Sequence, residues 1–97
     1  MKRLPKVKVE GPHNDHKVFI YTLSTCGWCK RTKELLSEKG VAYEYLDVDN
    51  CQGDERKTAI EDLKRRNAPL GFPVIIIDDT TLISGYNPDK IAGALGL

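Results

Sequence analysis

The chain has 97 residues, enough for one domain with a two-layer core and too few for a second fold. Its 15 basic and 14 acidic side chains nearly cancel, so net charge indicates neither a nucleic-acid-binding protein nor one that binds anionic membranes. The apolar runs are too short to span a bilayer and no signal peptide is evident, so we expect a cytoplasmic protein. An odd number of cysteines, three, argues against a secreted disulfide framework.

The first 16 residues are rich in basic side chains and interrupted by prolines and a glycine. This composition predicts a basic N-terminal arm over residues 1–16, either frayed or added to a sheet as an edge strand, followed by a single domain over residues 17–97. Docking of the arm to an acidic partner is the alternative.

A pair of thiols stands where a strand is predicted to give way to a helix. The run from Lys17 to Thr22 predicts the first strand, and the pattern from Cys26 to Lys39, followed by Gly40, predicts the first helix. Within it, Cys26-Gly27-Trp28-Cys29 places two cysteines at an i, i+3 spacing, which brings both sulfurs to one face, close enough for a small-ring disulfide. A CxxC at this point is typical of a redox site.

The two cysteines are predicted to have different roles. Cys26 stands at the start of the helix, where unpaired N–H groups and the helix dipole stabilise a thiolate, so we assign it the attack on a substrate disulfide. Cys29 lies one turn inward and is assigned the resolving attack on the Cys26 sulfur. Cys26 and Cys29 are therefore the predicted catalytic residues and the predicted redox-active disulfide. Trp28 between them is expected to be exposed and to contact the substrate.

The remaining pattern alternates strands and helices. Ala59, Ile60 and Leu63 predict the buried stripe of the second helix. The predicted elements are a strand at Val41–Val48, a helix at Asp54–Arg66, a strand at Pro73–Ile77, a turn at Asp78–Thr80, an antiparallel strand at Thr81–Ser84 and a helix beginning at Pro88 after an Asn87 cap. The order β-α-β-α-β-β-α predicts an α/β sandwich with a four-stranded mixed sheet flanked by helices.

Three motifs in this order resemble those of the glutaredoxin family of the thioredoxin superfamily, over about residues 17 to 97. They are Tyr21-Thr22 leading into the CxxC, Phe72-Pro73-Val74 before the third strand and Ser84-Gly85-Tyr86 before the last helix. The resemblance implies a thioredoxin-like fold in which Pro73 is a cis-proline facing the thiols and the backbone of Phe72 pairs with an extended substrate. It places substrate contacts at Trp28, Phe72, Pro73, Val74, Gly85 and Tyr86.

Departures from the family pattern bear on the electron donor. Leu23 stands where glutathione-using glutaredoxins usually carry a lysine that anchors a glutathione carboxylate. The segment Ser84-Gly85-Tyr86-Asn87-Pro88 is most similar to the last motif of the NrdH redoxins, although Ile83 and Asn87 depart from that motif too. NrdH redoxins are reduced by a thioredoxin-type reductase and supply electrons to ribonucleotide reductase. The resemblance therefore favours a thioredoxin-type reductase as external reductant, with glutathione as the alternative.

The sequence thus predicts a monomeric dithiol oxidoreductase that reduces protein or small-molecule disulfides, with no bound cofactor or metal and no nucleic-acid or membrane partner. The rival hypotheses are a glutathione-dependent glutaredoxin, an iron–sulfur or metal carrier in which two chains share CxxC ligands, and a non-catalytic binding module. The third thiol, Cys51, is interpreted as structural or incidental, with regulatory oxidation or intermolecular pairing as the alternative. With His13 and His16, the cysteines lack the spacing of a zinc site.

Overall fold

The computed structural model describes residues 5–69 and 71–97. The first four residues of the predicted arm, with Lys2 and Arg3, lie outside this range, as does Leu70. The predicted order is present, with one additional strand at its beginning. The elements are β1 (Val7–Val9), β2 (Val18–Thr22), α1 (Gly27–Glu38), β3 (Tyr43–Asp47), a 3₁₀ turn (Val48–Asn50), α2 (Asp54–Arg65), β4 (Val74–Ile77), β5 (Thr81–Ser84) and α3 (Pro88–Leu95).

The sheet has five strands in the order β1-β3-β2-β4-β5, so the prediction of four strands is wrong by one. β2 and β3 are parallel, and every other neighbouring pair is antiparallel. The additional strand, β1, pairs Val7 with Tyr45 and Val9 with Tyr43. Without it, β3 would be an edge strand with unpaired backbone groups, which the N-terminal segment covers.

The N-terminal segment continues along the domain after β1. The His13 N–H donates to the Gly40 carbonyl at 2.9 Å, and the Ala42 N–H donates to the His13 carbonyl at 2.9 Å. An ideal Cβ on Gly11 would lie 2.6 Å from the Gly40 oxygen, so only glycine permits this close approach. The His16 ring then bonds the Asp78 carboxylate at 2.8 Å. The described part of the predicted arm therefore packs against the domain, and its docking to an acidic partner stays a prediction.

Helices cover both faces of the sheet because the central strands are apolar on both sides. On β4, Ile75 and Ile77 point to one face while Val74 and Ile76 point to the other. The first face packs against α1 and α3, and the second against α2. The buried set of the first face is Val18, Ile20, Leu36, Val41, Tyr43, Ile75, Ile77, Ile83, Ile91 and Leu95. That of the second is Tyr21, Leu46, Val48, Cys51, Ala59, Val74 and Ile76.

One predicted core residue is not in the core. Ala59 of α2 is fully buried and Leu63 packs partly buried against the same cluster, but Ile60 is 38% exposed. Positions 59 and 63 are one turn apart and share a face, whereas position 60 is turned about 100° away from position 59. No helix within residues 5–69 and 71–97 has both the length and the apolar character needed to cross a membrane.

A buried hydrogen-bonded cluster joins the central strand to α2. The Tyr21 hydroxyl donates to Asp62 at 2.6 Å, and the Arg66 Nε donates to the same carboxylate at 3.0 Å. Arg65 pairs with the other Asp62 oxygen. Burial on its own raises the pKa of Asp62, but the hydrogen bonds from Tyr21, Arg66 and Arg65 outweigh it and hold the pKa below its usual value.

Asp62→Asn is expected to destabilise the fold by about 1–3 kcal/mol at neutral pH, because it weakens charge-assisted bonds to Tyr21 and Arg66. The folded-state pKa of Asp62 lies below the usual 3.8, so its contribution is complete well above that pH and declines as the pH falls through the folded value. Urea unfolding should therefore give a large difference in midpoint between parent and variant near pH 7 and a smaller one near pH 3. Glu61→Gln, at the exposed neighbouring position, is the control, and equal losses at both pH values would contradict this account.

Candidate active site

The loop between β2 and α1 is held so that the first cysteine falls at the helix start. The Ser24 N–H donates to Asp49 at 2.9 Å, and the Ser24 hydroxyl bonds the same carboxylate. The Cys26 N–H donates to the Leu23 carbonyl at 3.1 Å, which closes a turn. These bonds bring the chain out of the sheet and into α1 within four residues.

Cys26 is the N-cap of α1 and is partly exposed. Its sulfur accepts a hydrogen bond from the Cys29 N–H at 3.2 Å. The sulfur thus lies among the free N–H groups at the positive end of the helix dipole, where a thiolate is stabilised. The predicted position of the CxxC at the start of a helix is confirmed.

Cys29 is fully buried, at 0% exposure, and the two thiols are free. Burial raises the pKa of Cys29, and the interaction with Cys26 raises it further. A backbone hydrogen bond from Leu23 and the positive charge of Lys33 act in the opposite direction. The accessible sulfur therefore belongs to Cys26, and the protected one to Cys29.

The loop before β4 lies against the first thiol. The Phe72–Pro73 peptide bond is cis, as the resemblance implied. The Phe72 carbonyl oxygen is 3.8 Å from the Cys26 sulfur. The Gly85 N–H donates to the Pro73 carbonyl at 2.8 Å, and Gly85 has a φ of +80°, which favours glycine. The structure therefore brings Phe72, Pro73 and Gly85 together with Cys26, while Val74 lies beneath them in the core.

An aromatic wall stands on the other side of the motif. Trp28 is 58% exposed, as predicted, and its ring stacks on Tyr86 with 5.6 Å between centroids and 23° between planes. The Arg31 guanidinium lies 5.7 Å from the centroid of the Trp28 ring. Tyr86, one of the substrate contacts that the resemblance implies, is partly exposed, and its contact with Trp28 places it at the surface beside the motif.

A mainly apolar groove of about 440 Å³ runs between Leu23, the loop before β4 and α2, and Arg56 and Lys64 of α2 also line it. Leu23, Phe72 and Val74 contribute to its wall, together with Ile60 and Leu63 from α2. Position 23, where glutathione-using relatives usually carry a lysine, therefore presents an apolar surface.

A charged cluster that sequence reasoning missed lies one helical turn after Cys29. Lys33 Nζ is 3.6 Å from Asp47 Oδ1 and 3.7 Å from the centroid of the Tyr45 ring. The Thr22 hydroxyl donates to Asp47 at 2.5 Å. Two signals could have found it: the i, i+4 spacing from Cys29 to Lys33, and an aspartate at the end of the strand beside the one that leads to the CxxC.

The third cysteine and the two histidines lie apart from this site. Cys51 is 2% exposed and its thiol lies 3.6 Å from the Asp47 carbonyl oxygen, while burial raises its pKa. His13 and His16 hold the N-terminal segment to the domain. Within the described residues no group of three or more His, Cys, Asp and Glu side chains is arranged to hold a metal ion.

Comparison with known proteins identifies relatives of this architecture. The chain is 38% identical over 64 residues to glutaredoxin 1 of Rickettsia conorii, a match that covers 66% of the chain and 60% of that relative's length. The crystal structure of a glutaredoxin from Methanosarcina mazei matches with a TM-score of 0.85 and 40% identity, covering 95% of the chain and 88% of that structure. The NrdH-redoxin of Escherichia coli matches with a TM-score of 0.65 and 28% identity, covering 79% and 92%.

The family model for glutaredoxins matches residues 18–82, a segment that runs from β2 to β5 and includes both motif cysteines and the cis-proline. The solved structures share the sheet and the helices that position these residues. The chain belongs to the glutaredoxin family.

Proposed function

We propose that the protein is a dithiol thiol–disulfide oxidoreductase that reduces disulfides of proteins or small molecules. The observation that carries this proposal is the position of the Cys26 sulfur. It caps α1, is partly exposed, and lies 3.8 Å from the Phe72 carbonyl beside cis-Pro73. Cys29 is buried next to it, at 0% exposure.

In the first step the Cys26 thiolate attacks one sulfur of the substrate disulfide. The substrate S–S bond breaks, a Cys26–substrate bond forms, and the other substrate sulfur leaves as a thiolate. The helix N-terminus favours this step, because its free N–H groups stabilise the attacking thiolate. Partial exposure of Cys26 gives a substrate access to the sulfur.

In the second step Cys29 attacks the Cys26 sulfur. The mixed disulfide breaks, the substrate leaves as its second thiolate, and the Cys26–Cys29 disulfide remains. The substrate has gained two electrons and the protein has lost two. An external donor must return them, so the cycle needs a reductase but no bound cofactor.

Two surfaces flank the attacked sulfur and would hold an extended substrate chain. One is the loop of Phe72 and cis-Pro73 with Gly85, supported from beneath by the buried Val74, and the other is the Trp28 and Tyr86 stack. Backbone pairing beside the proline would align the substrate sulfur with Cys26, while the aromatic stack supplies apolar contact. These residues are the proposed substrate site, and the protein is proposed to act as a monomer.

A thioredoxin-type reductase is proposed as the electron donor. The apolar groove beside Leu23 favours it, since a lysine is absent where glutathione-using relatives carry one. The resemblance of Ser84-Gly85-Tyr86 to the NrdH motif agrees with it. The related NrdH-redoxin of Escherichia coli is described as having a thioredoxin-like activity profile. On this proposal the chain could supply electrons to an enzyme such as ribonucleotide reductase.

Cys29→Ser is expected to stop turnover after the first step, because serine cannot displace the substrate from Cys26. Incubation with a disulfide-bearing protein should accumulate a mixed disulfide through Cys26, visible by non-reducing electrophoresis and mass spectrometry. Cys51→Ser is the matched control and should turn over as the parent does. Protein-disulfide turnover by Cys29→Ser at the parental rate would contradict the resolving role.

Coupled NADPH-oxidation assays should show turnover with a thioredoxin-type reductase well above that with glutathione and glutathione reductase. Leu23→Lys should raise the glutathione-coupled rate, because it adds a cation for a glutathione carboxylate. Leu23→Gln, polar but uncharged, is the control. Efficient glutathione coupling by the parent chain would overturn the proposed donor.

Trp28→Ala should lower kcat/KM for protein disulfides by about 5- to 30-fold, as truncation of an exposed interface tryptophan costs about 1–2 kcal/mol of binding. For a small aliphatic disulfide, which reaches little beyond Cys26, the loss should be below about twofold on the same reasoning. Lys39→Ala, at an exposed site at the far end of α1, serves as the control. Equal losses for both substrates would show that Trp28 acts on the thiols and not on substrate binding.

A further inference from the structure

The resolving step requires a thiolate in a place that disfavours one. Cys29 is fully buried, and desolvation penalises the negative sulfur there. In the mixed disulfide the Cys26 sulfur is bonded to the substrate and carries no charge, so it cannot stabilise its partner. Stabilisation of the Cys29 thiolate must therefore come from neighbouring groups outside the CxxC.

Lys33 is placed to supply it. It lies four residues after Cys29 on α1, and residues at this spacing share a helix face. The lysine side chain is only 21% exposed, so water screens its charge far less than that of a surface lysine. A partly buried positive charge one turn from Cys29 on the same helix face favours the ionised form of that thiol, as does a backbone hydrogen bond from Leu23.

The ammonium group is held in this position by β3 and the end of β2. Asp47 lies 3.6 Å from Lys33 Nζ and is itself only 17% exposed. The fully buried Thr22 donates to the Asp47 carboxylate at 2.5 Å, which orients it. The Tyr45 ring lies 3.7 Å from Lys33 Nζ and forms a cation–π contact. The flexible lysine is thus restrained by two contacts, to Asp47 and to Tyr45, and neither contact requires the substrate.

We propose that Lys33, oriented by Asp47, Thr22 and Tyr45, stabilises the Cys29 thiolate while it attacks the mixed disulfide. This inference rests on the proposed dithiol function and adds a residue to it. The Cys29 thiol loses its proton to water, and the resulting Cys29 thiolate then attacks the Cys26 sulfur. The Cys26–substrate bond breaks and the substrate leaves as a thiolate. Lys33 acts on the second step and leaves the attack by Cys26 unchanged.

Removal of the Lys33 charge changes the rate of the resolving step in two opposed ways: it lowers the fraction of Cys29 present as thiolate and raises the nucleophilicity of that thiolate. For a thiol that titrates above the working pH, a tenfold loss of thiolate is partly offset by the greater nucleophilicity of the more basic sulfur. With a Brønsted coefficient of about 0.4–0.5, the net loss is about three- to fourfold for each tenfold loss of thiolate. Removal of the Lys33 charge is expected to slow the resolving step by about three- to tenfold.

The aromatic disulfide DTNB separates the two steps, because each releases one coloured thionitrobenzoate anion. With the reduced full chain in stopped flow, the first phase reports attack by Cys26 and the second reports displacement by Cys29. Cys51→Ser serves as the background for all variants, so that the third thiol adds no signal. Lys33→Met and Lys33→Gln remove the charge, Lys33→Arg retains it, and Lys39→Met removes an exposed charge from the same helix. Urea unfolding checks that each variant folds.

Lys33→Met and Lys33→Gln should slow only the second phase, Lys33→Arg should largely restore it, and Lys39→Met should match the background chain. The second phase of the Met and Gln variants should rise toward the parental rate at alkaline pH, as Cys29 ionises without help. The titratable groups that bear on this profile are Cys29 and Lys33 on α1 and, facing Lys33, Asp47 and Tyr45 on β3, since Cys26 is bonded to thionitrobenzoate in the second phase.

A second phase that is as fast in folded Lys33→Met as in the background chain would overturn the role of Lys33 and leave the dithiol function standing. Equal slowing of both phases would also overturn it, because that result indicates a structural effect on the whole site. If the background chain releases no thionitrobenzoate in a second phase, the proposed dithiol function itself fails.

Discussion

The antiparallel register between β2 and β4 is the constraint on which the site depends. It pairs Tyr21 with Val74, so the last residues of β2 lie beside the first residue of β4. The C-terminal end of β2, which leads to Cys26, therefore lies beside the N-terminal end of β4, which follows Pro73. Thiol and proline loop, 46 residues apart between Cys26 and Phe72, therefore meet at 3.8 Å. A shift of one residue in this register would exchange the side chains that β4 presents to its two packed layers, so the packing of both layers stabilises the site geometry.

The difference in burial gives the two cysteine thiols different roles. Cys26 caps α1 and is accessible to solvent, whereas Cys29, in the first turn of α1, is fully buried. The same helix that stabilises a thiolate at its first position desolvates the sulfur one turn later. The chemistry proposed here uses both environments, since the exposed sulfur meets the substrate and the enclosed one meets only its partner. In the proposed mechanism, the charge near the Cys29 sulfur sets how readily Cys29 displaces the substrate from Cys26.

Much of the site could be predicted because its signals are local. The CxxC, the strand before it and the helix after it are neighbours in sequence, and their spacing decides how they fold. Pro73 was predicted from the motif Phe72-Pro73-Val74, and the turn at Gly85 from the motif Ser84-Gly85-Tyr86. The strand at Val7–Val9 could not be predicted with equal force, because three residues form a strand only where a neighbour offers unpaired backbone groups. Ile60 was misassigned because an apolar residue at the margin of a helix stripe is buried or exposed according to what packs beside it.

By itself the sequence determined the α/β order of elements, the dithiol motif at a helix start and the glutaredoxin family, since each depends on short-range pattern. The tertiary structure decided what depends on contacts between distant segments: that Tyr86 stacks on Trp28, that Leu23 faces an apolar groove, and that Asp47 and Thr22 hold a lysine beside the buried thiol. These contacts join residues on different strands, helices and loops, or depend on which side of a strand meets which helix. Burial and electrostatic fields arise from such contacts, so they become defined only when the chain is folded.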